Sequence, residues 1–229
     1  MGKTTYSGLP TELPTFLRDL AKNNDKAWFD AHRELYERCY LDAAKELVLA
    51  LAPELAKLSP ALRAEPRVNG SIMRINRDTR FGKDKRPYKD GLHLMFPEGD
   101  GPARTRAGLY LRVTGESVGF AAGIMGFDPK QLARYREAVA DDATGRPLTR
   151  ALATAAKEGF TLNEPHYKRV PKGYEADHPR AELLRHAGFF VGGDVPASKA
   201  IFGAKAVPWV MARFRSLRPA QRWLAEHVA

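Results

Sequence analysis

The sequence predicts a single α+β domain over residues 1–229, a central antiparallel sheet of at least four strands flanked by N-terminal and C-terminal helices. Three observations predict it. Apolar residues recur at three- and four-residue spacing before position 60 and again after position 128. Between these blocks the period changes to two in four successive segments. Turn-forming stretches separate the later segments: "PEGDGPAR" between the second and third, "TGES" between the third and fourth. Strands grouped between blocks of helices belong to the α+β class.

Thr11 to Leu20 reads as a short helix with Phe16, Leu17 and Leu20 on its apolar side, ending near Asn23 and Asn24. Asp25 is placed to cap a long helix, because a carboxylate there accepts from unpaired first-turn N–H groups. Trp28, His32, Leu35, Cys39, Ala43, Leu47, Ala50 and Leu51 form its stripe. Pro53 marks a break or a first turn of a further segment, and Ser59 to Gly70 reads as loop.

The period then becomes two. Met73 and Ile75 alternate with Arg74 and Asn76; Leu92, Leu94 and Phe96 alternate with His93 and Met95. Leu109, Leu111 and Val113 alternate with Tyr110 and Arg112; Val118, Phe120, Ala122 and Ile124 alternate with Gly119, Ala121 and Gly123. One face should therefore carry Arg74, Asn76, His93, Tyr110 and Arg112. The small residues beside them should leave floor space for a ligand or a close-packed helix; an ordinary solvated face is the alternative.

After Gly126 the pattern is helical. Asp128 and Pro129 start a helix striped by Leu132, Tyr135 and Val139. Pro147 to Glu158 is a second helix, closed by Gly159. "NEPHYKRVPKGYEADHP" is a long basic loop, and Pro179 to His186 a short helix with Asp177 as its cap. "FFVGGDV" reads as a further strand. Ala197 to His227 reads as two or three helices with Trp209, Phe214, Leu217, Trp223 and Leu224 in the core.

Of 229 residues, 44% are hydrophobic and 28% charged, which suits a folded globular chain. The 37 basic and 27 acidic residues leave a net charge of +10. That balance favours anionic partners such as nucleic acid, nucleotides, phosphorylated metabolites or acidic lipid surfaces; it is also the ordinary signature of Arg-rich bacterial proteins. The lone Cys39 excludes an internal disulfide and points to a reducing compartment. No apolar run reaches the roughly 18 residues of a membrane span. "MGKTTYSGLP" lacks a secretory apolar stretch, and Tyr6 breaks the myristoylation pattern. A soluble, cytoplasmic protein with no membrane partner is expected. Oligomeric state and cofactor are not legible.

The densest signal is "MRINRDTRFGKDKRPYKDGLHLMF", Met73 to Phe96. Arginine forks match phosphate oxygens two at a time. Arg74, Arg77 and Arg80, followed by Lys83 and Lys85, can line one concave anion site. Asp78 and Asp84 can orient those arginines or hold a divalent ion, with Tyr88 beside them. The alternative is a salt-bridge network that braces a long loop, with Phe81 and Tyr88 as apolar pins. Lys168 and Lys172 could face the motif across a cleft with Arg112. His178 is a weak general acid–base candidate. "NNDKAWF" at Asn23 to Phe29 is either a helix start open to anions or a helix connection with Trp28 in the core. No phosphate-loop, dinucleotide, zinc or nucleophile-elbow spacing occurs, so no metal is expected and a reaction stays open.

The run Arg74-x-x-Arg77-Asp78-x-Arg80-Phe81-x-x-Asp84-Lys85-x-x-Tyr88 resembles the signature of a bacterial family of conserved hypothetical proteins, domain of unknown function 2461. "FLRDLAKNNDKAWFDAHRELYE", "AGLYLRV" and "KRVPKGYEADHPRAELLRH" resemble it too, so the likeness covers nearly the whole chain. It implies a soluble protein of about this length with no assigned activity, and it carries over no catalytic residue.

Overall fold

A computed structural model describes residues 6–80 and 82–229; Phe81, an expected apolar pin, lies outside them. The described chain runs α1 (Leu13–Lys22), α2 (Lys26–Ala31), α3 (Arg33–Leu35), a π-helical segment (Tyr36–Asp42), α4 (Ala43–Leu58), β1 (Leu92–Pro97), β2 (Gly108–Val113) and β3 (Ser117–Ile124). It continues through α5 (Pro129–Ala140), α6 (Asp142–Lys157), β4 (Thr161–Leu162), α7 (Ala181–Leu184), β5 (Phe189–Pro196) and α8 (Ala206–His227). The five strands form one antiparallel sheet in the order β1-β2-β3-β5-β4. Helices flank it at both ends of the chain, as the α+β reading expects. The β4–β5 register pairs Thr161 with Gly192.

The residues gather into two compact units. One comprises the chain up to Met95, Tyr110–Gly119 and Asp194–Ala212; the other comprises Phe96–Leu109, Phe120–Gly193 and Arg213–Ala229.

In the first unit, Asp25 caps α2 as expected, its Oδ1 accepting from Trp28 N at 2.9 Å. The long helix expected after it is divided: α2 and α3 are short, and a π-helical segment precedes α4. The wider π turn brings Cys39 and Tyr40 into the core ahead of the α4 stripe of Ala43, Ala44, Leu47, Val48, Leu51 and Leu55. Pro53 does not break α4. It lies on the exposed face with Leu49, one turn before it.

The expected strand at Met73–Asn76 is not continuous. Met73 N donates to His93 O at 3.0 Å and Met95 N to Ser71 O at 2.9 Å, which pairs Ile72 with Leu94. Arg77 N then donates to Pro87 O and Lys89 N to Ile75 O, both at 2.8 Å, which pairs Asn76 with Tyr88. Only Met73, Arg74 and Ile75 separate the two pairs on one side, while Lys89 to His93 separate them on the other. The two extra residues bulge the partner chain and interrupt the ladder.

Alternation holds in β1 and β2, where Leu92, Leu94, Leu109 and Leu111 are buried and His93, Tyr110 and Arg112 half-buried. It fails in β3, which is buried on both faces from Val118 to Ile124. The expected floor space is filled. A Cβ at Gly119 would stand 2.4 Å from Asp194 Oδ1.

In the second unit, Asp128 and Gln131 form a capping box on α5. α6 starts at Asp142, capped by Asp141, rather than at Pro147. Asp177 does not cap α7, which covers only Ala181–Leu184. Instead His178 Nδ1 accepts from Arg180 N at 3.0 Å. Arg180 is buried and donates to Val139 O at 2.6 Å, Ala140 O at 2.9 Å and Asp142 Oδ1 at 2.7 Å, closing the carbonyl end of α5. The terminal segment holds one long helix, α8, instead of two or three. Its Pro219 is exposed and does not break the helix. No helix among the described residues is long and apolar enough to cross a membrane.

Candidate functional site

The motif loop lies in the first unit, and the bulge decides its shape. Asn24 clamps the residue that opens the bulge: its Oδ1 accepts from Tyr88 N at 2.9 Å, and its Nδ2 donates to Tyr88 O at 3.1 Å. The Tyr88 ring stacks on Phe29 with centroids 4.2 Å apart. Asn24 and Asp25 are thus occupied in holding backbone, which accounts for the amides and the acid of "NNDKAWF" without a ligand.

Within the loop the acids orient arginines. Asp78 accepts from Arg80 Nε at 3.0 Å and Nη2 at 2.8 Å, a bidentate pair. Asp84 accepts from Arg77 Nη1 at 2.6 Å and from Arg86 Nη2 at 2.7 Å. These guanidinium bonds hold both carboxyls well below the usual carboxylate range, Arg80 acting first on Asp78 and Arg86 first on Asp84. Both acids are therefore ionised at any ordinary pH. Lys85 Nζ donates to Thr79 O at 2.8 Å. Lys89 Nζ donates to Arg74 O and Asn76 O across the bulge. Burial, then Arg74 and Arg77, lower its pKa.

Arg77, Arg86, Tyr88, Lys89, Asp90 and His93 line a cleft of about 220 Å³. Lys89, Asp90 and His93 come from the bulged span, and the two arginines from the loop opposite it. Arg112 on β2 is close enough to act on His93, and it pairs with Asp194 at 2.6 Å. Burial first, then Lys89 and Arg112, push the His93 pKa down to about 4, with Asp90 opposing. The imidazole is therefore neutral at pH 7. Among the described residues no group of three or more His, Cys, Asp or Glu side chains gathers to hold a metal ion.

The structure thus brings Arg77 and Tyr88 together in a cleft, with Asp84 behind the arginines and Arg112 beside His93. Arg80 and Asp78 pair with each other, and Arg80 is exposed. Arg74 and Lys83 are exposed and form no ion pair within 4 Å among the described residues. Lys168 and Lys172 are exposed residues of the second unit. His178 belongs there too, with Nδ1 accepting from Arg180 N and Nε2 donating to Ala140 O at 3.2 Å. Arg86, Lys89, Asp90 and His93 were not among the expected site residues. His93 carried a signal: it is the histidine on the polar phase of β1, just after the basic run.

His93 makes acid stability a direct readout. An unfolded histidine titrates near 6.5 and the folded one at about 4, so the unfolded chain binds more protons between those values. Stability from this group is complete above pH 6.5 and is lost as pH falls toward 4. His93→Gln should flatten this part of the pH–stability curve measured by urea unfolding. An unchanged slope between pH 4 and 6.5 would place the proton uptake elsewhere.

Fold and loop define a mixed helix-and-strand protein whose basic motif is folded back on a bulged strand pair. The model of a family of conserved hypothetical proteins (DUF2461) matches residues 12–223, and the chain belongs to that family. None of the curated proteins compared with the chain matches it.

Proposed function

We propose that the chain binds a small phosphate-bearing anion, a phosphorylated metabolite or phosphate ester, in the cleft of the motif loop. The observation that carries this reading is the convergence of Arg77, Arg86 and Lys89 on one cleft beside Arg112, against Asp90 as its lining acid. Arg74, Arg80, Lys83 and Lys85 extend the positive field around it, and Asp78 and Asp84 fix the arginine planes. Tyr88 forms an aromatic wall. Lys168, Lys172 and His178 are not among the residues that line this cleft.

Isothermal titration with inorganic phosphate tests the cleft. The double variant Arg77→Ala/Arg86→Ala should weaken binding by at least about 100-fold, since each charge-assisted contact contributes about 1.5–3 kcal/mol. Lys45→Ala on α4, an exposed residue paired with Asp42, serves as control and should bind as wild type. Full-strength binding by the double variant would overturn the site.

A second reading has its own observation: Arg77, Arg80 and Arg86 are all engaged with loop acids, as internal bracing requires. A double variant that unfolds at ordinary temperature would favour bracing over binding. Nucleic acid as partner would show as binding that falls steeply with salt, through counterion release. The proposal treats residues 1–229 as one domain. Coincident unfolding by circular dichroism and tryptophan fluorescence is expected, and separate transitions would overturn that part.

A further inference from the structure

We propose that His93 is the proton-coupled contact of this cleft: it takes up a proton as a phosphate monoester group enters, so the protein holds such ligands more tightly in mildly acidic surroundings. This rests on the phosphate reading of the same cleft.

The geometry supplies three reasons. First, His93 is both a strand residue and a cleft residue. Its backbone carbonyl is held by Met73 N at 3.0 Å, and its side chain lines the cleft with Arg77, Arg86 and Lys89. The imidazole leans back over Gly91: a Cβ built there would lie 3.4 Å from Nε2. The strand bond places the backbone, and the ring lies over the glycine without a side-chain tether.

Second, no hydrogen bond to either ring nitrogen is made among the described residues. Asp90 is the charged acid beside the ring in the cleft, and it supplies no such bond. The contrast with His178 is direct, since both nitrogens of that ring are committed to backbone. His93 can therefore donate to an entering oxygen.

Third, the charges facing His93 oppose a second proton on the empty site and favour one on the filled site. Lys89 faces it from the bulge, Arg112 from β2, and Arg77 and Arg86 from the motif loop. Asp194 partly offsets Arg112 through their 2.6 Å pair. Tyr40 of the π-helical segment meets the backbone of this span: it is buried and held protonated, and its hydroxyl donates to Gly91 O at 3.2 Å. Burial, then Lys89 and Arg112, keep the ring neutral. A phosphate dianion among the same cations cancels their repulsion, and the imidazolium gains a charge-assisted bond. By linkage, a ligand that favours protonated His93 binds more tightly where that form is more populated.

Phosphate is suited to this coupling because a monoester carries its second charge above a pKa of about 6. The ligand and the ring then share one proton in the range between their two titrations. A diester keeps a single charge and cannot do so.

The test is the titration of His93 in the full chain, followed by NMR of the histidine ring protons with and without saturating inorganic phosphate. His93→Gln identifies the signal, and His93→Asn serves if that variant folds poorly. The expected result is a rise of at least about one pKa unit on phosphate addition, equivalent to tenfold tighter binding to the protonated form. From a starting value of about 4, a one-unit rise makes the ring contribute about a twofold gain in affinity between pH 7 and pH 5, and that contribution should be absent in His93→Gln. Phosphate binding with an unmoved His93 titration overturns the inference and leaves the phosphate reading standing. No phosphate binding at any pH overturns both.

Discussion

Gly123→Val is expected to cost about 3 kcal/mol or more of folding stability, enough to leave little native protein above ordinary temperatures. A Cβ at Gly123 would sit 2.0 Å from Phe189 O and 2.9 Å from Phe189 C. Both are backbone atoms, so no rotamer change relieves the clash; β5 itself must move. Its neighbours resist: Phe189 is fully buried, and its ring packs against Tyr135 at 6.3 Å between centroids. Close-packed interiors transmit such strain instead of absorbing it. Gly126→Ala is the control, because a Cβ there meets nothing within 4 Å. Urea unfolding followed by circular dichroism measures both. A Gly123→Ala protein within about 1 kcal/mol of wild type would show that the strands yield and that the close approach does not matter.

Arg180→Met should cost about 3 kcal/mol, the scale for removing one member of a buried, hydrogen-bonded charge system. Arg180 is 7% exposed, and its guanidinium supplies Val139 O, Ala140 O and Asp142 Oδ1. Methionine fills much of the volume but donates nothing. Val139 O at the end of α5 then loses this donor in a buried site, and Ala140 O keeps only its 3.2 Å bond from His178 Nε2. Asp142 is itself well exposed, so most of the loss comes from the carbonyls and not from a stranded charge. Arg180→Lys should recover only part, because a point charge cannot serve three acceptors arranged for a planar fork. Equal stability of the methionine and wild-type proteins would mean that water replaces the lost donors at no cost. Gly145 belongs to the same arrangement. A Cβ there would come within 2.4 Å of Arg180 Nε, so the glycine makes room for the buried guanidinium.

Neither residue stands out in the sequence as structural. Gly123 reads as part of a small-residue row that could floor a pocket, and Arg180 as one more cation at a helix start. Their roles depend on partners 66 and 41 positions away in the chain, Phe189 and Val139 respectively.

Local pattern was sufficient for the α+β class, for strands at Leu92–Pro97, Gly108–Val113, Ser117–Ile124 and Phe189–Pro196, and for the caps at Asp25 and Asp128. These rest on side-chain period and on short-range bonds, which a sequence carries directly. The motif likewise marked Arg77, Asp84 and Tyr88 by spacing and charge, and it placed the chain in its family. The tertiary structure decided the rest. Whether Met73–Asn76 makes a strand depends on its pairing with two stretches whose spacing differs by two residues, and that mismatch exists only once both are paired. The same bulge turns Lys89, Asp90 and His93 into the wall of a cleft opposite Arg77 and Arg86. Period and charge name which residues can share a face; register between distant segments determines which of them meet.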